Sequence, residues 1–318
     1  FFALKNISTP PVLLLLHYNQ NATKVKNRLI QFGSQLNDVS THIRKNMPNH
    51  KRAIHTFLLL LFITMLSACV SQNSLLANNI KGEQRSEQNR VRDSARHPLQ
   101  TLAFFEVKPN ATVLEIWPAK GWYTEILAPT IKQGGGQYIS AGVPLHTGPK
   151  WRQNRRQEYH DYLASKPEYY DAVRFVEFGP PSFWSLGEDN SVDTVLTFRN
   201  VHNWVKGGYE EKIFQAMFSV LKSGGILGVI DHRAKPNTDI ETMKKTGYMT
   251  EQYVIALAQQ AGFVFDSASE INANPKDTKD YEKGVWTLLP RLRLGDTDLE
   301  KYTAIGESDR MTLKFKRP

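Results

Sequence analysis

The chain of 318 residues has a single cysteine, Cys69, so it can hold neither an internal disulfide nor a metal cluster built on thiolates alone. It has no G-x-S-x-G nucleophile elbow and no phosphate-binding P-loop, which sets aside serine hydrolases of that build and P-loop nucleotide hydrolysis. Internal repeats and single-residue tracts are also missing. The hydrophobic share of 41% and charged share of 22% are ordinary for a folded core, which excludes disorder throughout. Acidic residues are scarce in one place only. Residues 1–68 carry 8 Lys+Arg and 1 acidic residue, leaving 32 of the 40 basic and 30 of the 31 acidic residues in 69–318. The formal net charge of +9 therefore describes a basic leader ahead of a near-neutral domain, and nucleic acid is not expected as a partner.

The first methionine is Met47, and residues 1–46 are expected to be an upstream translation artefact or an extension. From Met47 the chain has a basic pair, Lys51–Arg52, a short apolar run from Phe57 to Leu66, and the small residues Ser67 and Ala68 before Cys69. That is the layout of a secretory signal peptide over 47–68, with an apolar run too short to span a bilayer. Leu66-Ser-Ala-Cys69 resembles the bacterial lipobox, which implies acylation of Cys69, a membrane contact through that lipid, and a domain facing the periplasm from the cell envelope. Residues 69–94 are rich in Asn, Gln and Ser and are expected to form a flexible tether.

From 95 to 318 short apolar runs alternate with amphipathic stretches, as βαβ units of a parallel sheet do. Strands are expected at 112–116, 138–141, 174–178, 192–198, 226–231, 263–271 and 309–315. Helices are expected at 123–132, 151–166 and 209–221, the last ended by Lys222-Ser-Gly-Gly225, with a further helix capped by Thr250 and stopped by Gly262. The polar insertion 272–308 is long for a compact domain, and such segments are usually functional or mobile.

The segment L-K-S-G-G-I-L-G-V-I-D at 221–231 resembles the turn before the fifth strand of class I S-adenosylmethionine (SAM)-dependent methyltransferases. More narrowly, the chain is similar to a bacterial family of predicted methyltransferases. Five phrases carry that likeness: E-I-W-P-A-K-G-W-Y-T (115–124), F-R-N-V-H-N-W (198–204), D-H-R-A (231–234), E-I-N-A-N-P (270–275) and G-E-S-D-R-M (306–311). The resemblance implies an α/β, doubly wound, Rossmann-like sheet of seven mostly parallel strands in the order 3-2-1-4-5-7-6. It also implies SAM as cofactor and methyl transfer to an unknown small-molecule or envelope acceptor. Ligands of such sheets sit beyond the strand carboxyl ends at the switch point, here between strands one and four. Glu115, Trp117, Gly121 and Trp122 would border the cofactor, with a tryptophan holding the sulfonium by a cation–π contact. Of the family's glycine turn only Gly121 remains, with Trp117 and Ala119 at two glycine positions, and no acidic residue follows strand two. A ligand-binding lipoprotein that kept the fold and lost the cofactor is the alternative reading.

His202 has the intrinsic pKa of a general base, and with Asn203 and Asp231 it forms the expected catalytic set. Arg199, His232, Arg233 and Arg310 are the expected substrate-binding residues. His202, Asp231, His232 and Glu270 lack the spacing of a strong ligand set, and no metal is expected. Protein partners are not legible in the sequence.

Overall fold

The computed structural model describes residues 74–318. The expected extension 1–46, the expected signal peptide 47–68 and Cys69, the expected site of acylation, lie outside the described residues. Among the described residues no helix is long and apolar enough to cross a membrane.

Seven strands form one sheet: β1 Thr112–Ile116, β2 Gln137–Gly142, β3 Arg174–Glu177, β4 Val192–Phe198, β5 Leu221–His232, β6 Val264–Ser269 and β7 Arg310–Lys316. Their order is 3-2-1-4-5-7-6. Strands β1 to β5 pair in parallel, while β7 runs antiparallel between β5 and β6. This is the class I methyltransferase sheet that the sequence resemblance implies.

β1 and β4 sit at the centre with helices over both faces, so most of their residues are buried, including the polar Glu115, Thr194 and Thr197. Side chains still alternate between faces. Leu114 and Ile116 enter one core with Trp204, Phe214 and Met217, while Val113 enters the other with Ile126, Leu127 and Tyr138. Glu115 shares the Val113 face, which brings a carboxylate beneath helix Thr124–Gly134. Helix Glu251–Gln260 begins where the sequence indicates, with Thr250 Oγ1 accepting from the Tyr253 amide. Helix Glu210–Val220 ends differently from the expected glycine cap. Leu221 turns extended at once into β5, and the left-handed residue Gly224 lies three residues further on.

The expected tether is folded from residue 74. Residues 74–81 are helical, and short helices follow at Glu87–Arg90, Asp93–Arg96 and Pro98–Phe104. Leu76 and Leu102 join the core on the Val113 face. The polar residues are buried by pairing: the Asn79 amide donates to Gln133, Gln84 to the carbonyls of Asn79 and Glu125, and Arg85 holds Asp93 through two bonds of 2.6 and 2.7 Å. Satisfied polar groups can be buried at small cost, so a polar composition did not prevent folding here.

Candidate functional site

All five phrases of the resemblance meet beyond the carboxyl ends of the central strands. At the end of β1, Glu115 is buried and accepts a 2.5 Å hydrogen bond from the Tyr138 hydroxyl, with Thr124 Oγ1 at 3.4 Å. Burial pushes its carboxyl up to about 7, even though the two hydroxyls work the other way. Thr124 also meets Tyr159 at 3.0 Å, and Tyr159 reaches Ser140 on β2 at 3.1 Å.

The turn after β1 is built for close approach. Gly121 has φ +80°, and a Cβ there would meet the Tyr159 ring at 2.8 Å. Trp117 and Ala119 also lie in the left-handed region, at φ 48° and 55°. The expected sulfonium contact of Trp117 is not supported. Its indole N–H donates to the Phe178 carbonyl at 2.9 Å, and its ring packs edge-on to Trp204 and Tyr209. Trp122 does lie under a cation, but the cation belongs to the chain: the Arg96 and Arg85 guanidiniums stand 4.6 and 5.0 Å from its ring centre.

Past β4 the helix Val201–Gly207 starts at once and presents His202 inward. Asp231, fully buried near the end of β5, holds it from two sides: Oδ2 accepts the His202 amide at 2.9 Å and Oδ1 meets the ring Nδ1 at 2.8 Å. A carboxylate accepts, so Nδ1 carries a proton, and Nε2 is the ring nitrogen left to accept. Asn203, expected to be catalytic, lies on the exposed side of that helix. The buried neighbour is Asn200, which donates to the Ile116 carbonyl at 2.9 Å and pins the β4 lip to β1.

His232 lies 5.1 Å from His202, ring centre to ring centre, and its Nδ1 meets Ser308 Oγ at 2.5 Å. Burial, with His202 and then Arg199, Arg310 and Arg96, drives its pKa well below the ordinary value, so it stays neutral. Nitrogen and oxygen atoms of His202, Asp231 and His232 lie within 4.8 Å of one another, close enough to hold an ion. The same arginines oppose a cation there, and both Asp231 oxygens are already engaged by His202 and the His232 amide. Glu270 stands apart from this trio.

Arg233, expected to bind substrate, is instead tied down. It forms a two-pronged pair with Glu270 at 2.7 Å and reaches Asp309 at 2.9 Å and Glu251 at 3.2 Å. Arg310 and Arg199 are brought together, and the structure adds two arginines that sequence reasoning missed, Arg92 and Arg96. Arg92, Arg96 and Arg310 converge on Glu307 at 2.6, 3.3 and 3.0 Å. Arg310 also donates to the Ala95 carbonyl. Burial alone would raise the Glu307 carboxyl, yet Arg96, Arg310, Arg92 and Arg199 hold it down at about 2.

The insertion 272–308 packs against this site. Asp277 accepts from Tyr248 at 3.0 Å, Trp286 stands 6.3 Å from His202, and Glu307 and Ser308 supply the contacts just described. The only one of these with a sequence signal was the G-E-S-D-R-M phrase itself.

For SAM, which the fold implies, the residues present fit on one side. Glu115 and the Gly121 turn stand where the β1 end would meet the cofactor. On the β2 side, the strand ends at Gly142 with no acidic residue of its own, the nearest in register being Glu177 on β3, and the Arg156 guanidinium rests against the Gly142 α-carbon. The Arg156 guanidinium reaches Ser140 Oγ at 3.4 Å and stands 5.2 and 5.6 Å from the Tyr159 and Phe175 ring centres, so both Arg156 and Tyr159 would have to move for a cofactor to approach this side.

No protein-family model matches the chain, and no curated protein matches it. Solved structures do. It is similar to a SAM-dependent methyltransferase from Aquifex aeolicus, with 17% identity and a TM-score of 0.46 over 57% of this chain and 87% of that one. It is similar to a proposed sarcosine dimethylglycine methyltransferase from Galdieria sulphuraria, with 16% identity and a TM-score of 0.47 over 72% and 84%. The cyclase SpnF gives 13% identity and 0.49 over 79% and 96%. At these identities the likeness concerns the fold alone.

Proposed function

We propose that the chain is a SAM-dependent methyltransferase acting on a small molecule, with His202 as general base and Asp231 as the group that orients it. The observation that carries this reading is the buried Asp231–His202 pair beyond the carboxyl ends of β4 and β5, beside the β1–β4 switch point of a methyltransferase sheet. SAM supplies an electrophilic methyl group when bound. The chain's own task is to position an acceptor and take its proton. His202 is suited to the second, since Asp231 fixes the Nδ1–H tautomer and Nε2 is free to accept. Glu115, its carboxyl pushed up to about 7 by burial, is divided between its two protonation states near neutral pH and offers a hydrogen-bonding group at the β1 end. Arg156 and Tyr159 must leave the Gly142 and Gly121 faces for the cofactor to approach, which makes helix Lys150–Ala164 the gate to that side.

Calorimetric titration of the full-length protein with SAM tests this. Saturable heat is expected, with tighter binding in Arg156→Ala, where the obstructing guanidinium is gone. No heat at millimolar SAM in either protein would overturn the reading.

A further inference from the structure

We propose that Arg92, Arg96, Arg199 and Arg310 form a binding site for an oxyanion group, a carboxylate or phosphate carried by the methyl acceptor. Assigning that group to a methyl acceptor rests on the reading above; the oxyanion site itself does not.

The argument starts from charge balance. Four guanidiniums surround one carboxylate, Glu307. Arg96 and Arg310 are only 3% and 4% exposed. An excess of buried positive charge is costly unless an anion joins it. The donors available for that anion are specific. Arg92 Nη2, Arg96 Nη2 and Arg310 Nε are buried N–H groups without a hydrogen-bond partner among the described residues. Arg199, partly buried and held at φ 61° where β4 ends, has no carboxylate within ion-pair distance among the described residues. Burial and the neighbouring arginines, offset in part by Glu307, bring its pKa down to about 10.

Four features give the cluster an orientation. Trp122 stacks under Arg96 and fixes one guanidinium plane. Tyr123, stacked on Phe198 at 3.6 Å, is near enough to feel the charges of Arg96, Arg310 and Arg199, and of Glu115 as well. His232, kept neutral by burial and then by His202, Arg199, Arg310 and Arg96, stands 5.1 Å from the His202 ring and so adjoins both groups. Planar guanidiniums with free N–H groups match the geometry of carboxylate and phosphate oxygens. An acid group seated there would leave the rest of the acceptor pointing past His232 toward the free Nε2 of His202.

The test is binding of inorganic phosphate and of succinate to the full-length protein without SAM, read by thermal shift and calorimetry, with chloride at equal ionic strength as control. Wild type is expected to be stabilised by at least one oxyanion and not by chloride, and the preferred arm identifies the source. Arg199→Gln breaks no ion pair and is expected to weaken that binding by about tenfold or more. Glu307→Gln is expected to melt earlier in chloride and to recover in the preferred oxyanion, which a purely structural cluster would not do. No oxyanion response in wild type, or one unchanged by Arg199→Gln, would overturn the proposal. Neither result bears on the SAM titration, so the two readings fail separately.

Discussion

Glu307 and Asp309 stand two residues apart and anchor ion clusters of opposite balance. Around Asp309, Arg233 and Lys279 face three carboxylates, Asp309, Glu270 and Glu251, with contacts from 2.6 to 3.2 Å. Asp309 also accepts from the Asn274 amide at 2.9 Å, and the cluster borders an open cavity of about 370 Å³ lined further by Thr250, Gln252 and Ile255. Around Glu307 there are four arginines, and Glu307 is the one carboxylate within ion-pair distance of them among the described residues, with Asp231 acting on Arg199 from further off. The first arrangement is complete by itself and ties β5, β7 and the 270–274 segment together. The second is short of negative charge. Complete pairing marks a structural joint, whereas a surplus of buried cation marks a place where something else belongs.

The largest effect expected from this contrast falls on the Asp309 side. Arg233→Gln leaves Asp309, Glu270 and Glu251 without their shared cation and is expected to cost about 3 kcal/mol in urea unfolding, at the lower end for a broken buried pair because Arg233 is partly exposed. A loss within experimental error would mean that the cluster is surface decoration, and the contrast with Glu307 would collapse.

How much of this was readable in advance divides along the same line. Strand order and the switch point follow from apolar runs at β spacing, and β4 matches its expected bounds at both ends. Thr250 gave the start of its helix because capping is local chemistry. The helices Val201–Gly207 and Ile240–Thr246 were missed, since seven residues hold too few turns to show a period; Asp239, which caps the second by accepting from Thr242, was the available sign. His202 and Asp231 could be named from their places after β4 and β5. The arginine cluster could not, because Arg92 and Arg96 meet Glu307 across more than 200 residues, from a stretch whose polar composition reads as a tether. Pairing of buried polar groups over such distances leaves no periodic mark in sequence.

Glu115 extends the comparison to a carboxylate with hydroxyl partners and no cation in contact. Its folded-state pKa of about 7 lies above the ordinary 4.5, so the folded chain binds this proton more tightly than the unfolded one. The stabilisation is complete below 4.5 and is lost as pH rises through 7. Relative to Glu115→Gln, which does not titrate, wild type is expected to lose about 2–3 kcal/mol over that window, measured by urea unfolding at several pH values. Glu307, with its pKa held at about 2, has the opposite sign: its contribution is present above 4.5 and fades only as pH falls through 2. A gap between wild type and Glu115→Gln that stays flat with pH would place an unseen cation beside Glu115.

The smallest expected change is the sharpest test of the contrast, because it reverses the sign of a familiar substitution. Arg199→Gln removes a guanidinium from the cationic cluster, as Arg233→Gln does from the carboxylate-rich one. Arg199 has no carboxylate partner to strand, and its charge adds to the repulsion felt by Arg96, whose pKa burial and Arg199 together depress. Removing it relieves a buried like-charge contact while leaving the three pairs on Glu307 in place. In chloride the variant is therefore expected to be as stable as wild type or more stable, by up to about 1 kcal/mol. A loss on the scale of Arg233→Gln would show that Arg199 is needed to hold the fold. An arginine whose removal leaves the fold as stable or more so, while weakening oxyanion binding, is kept in that position for the ligand.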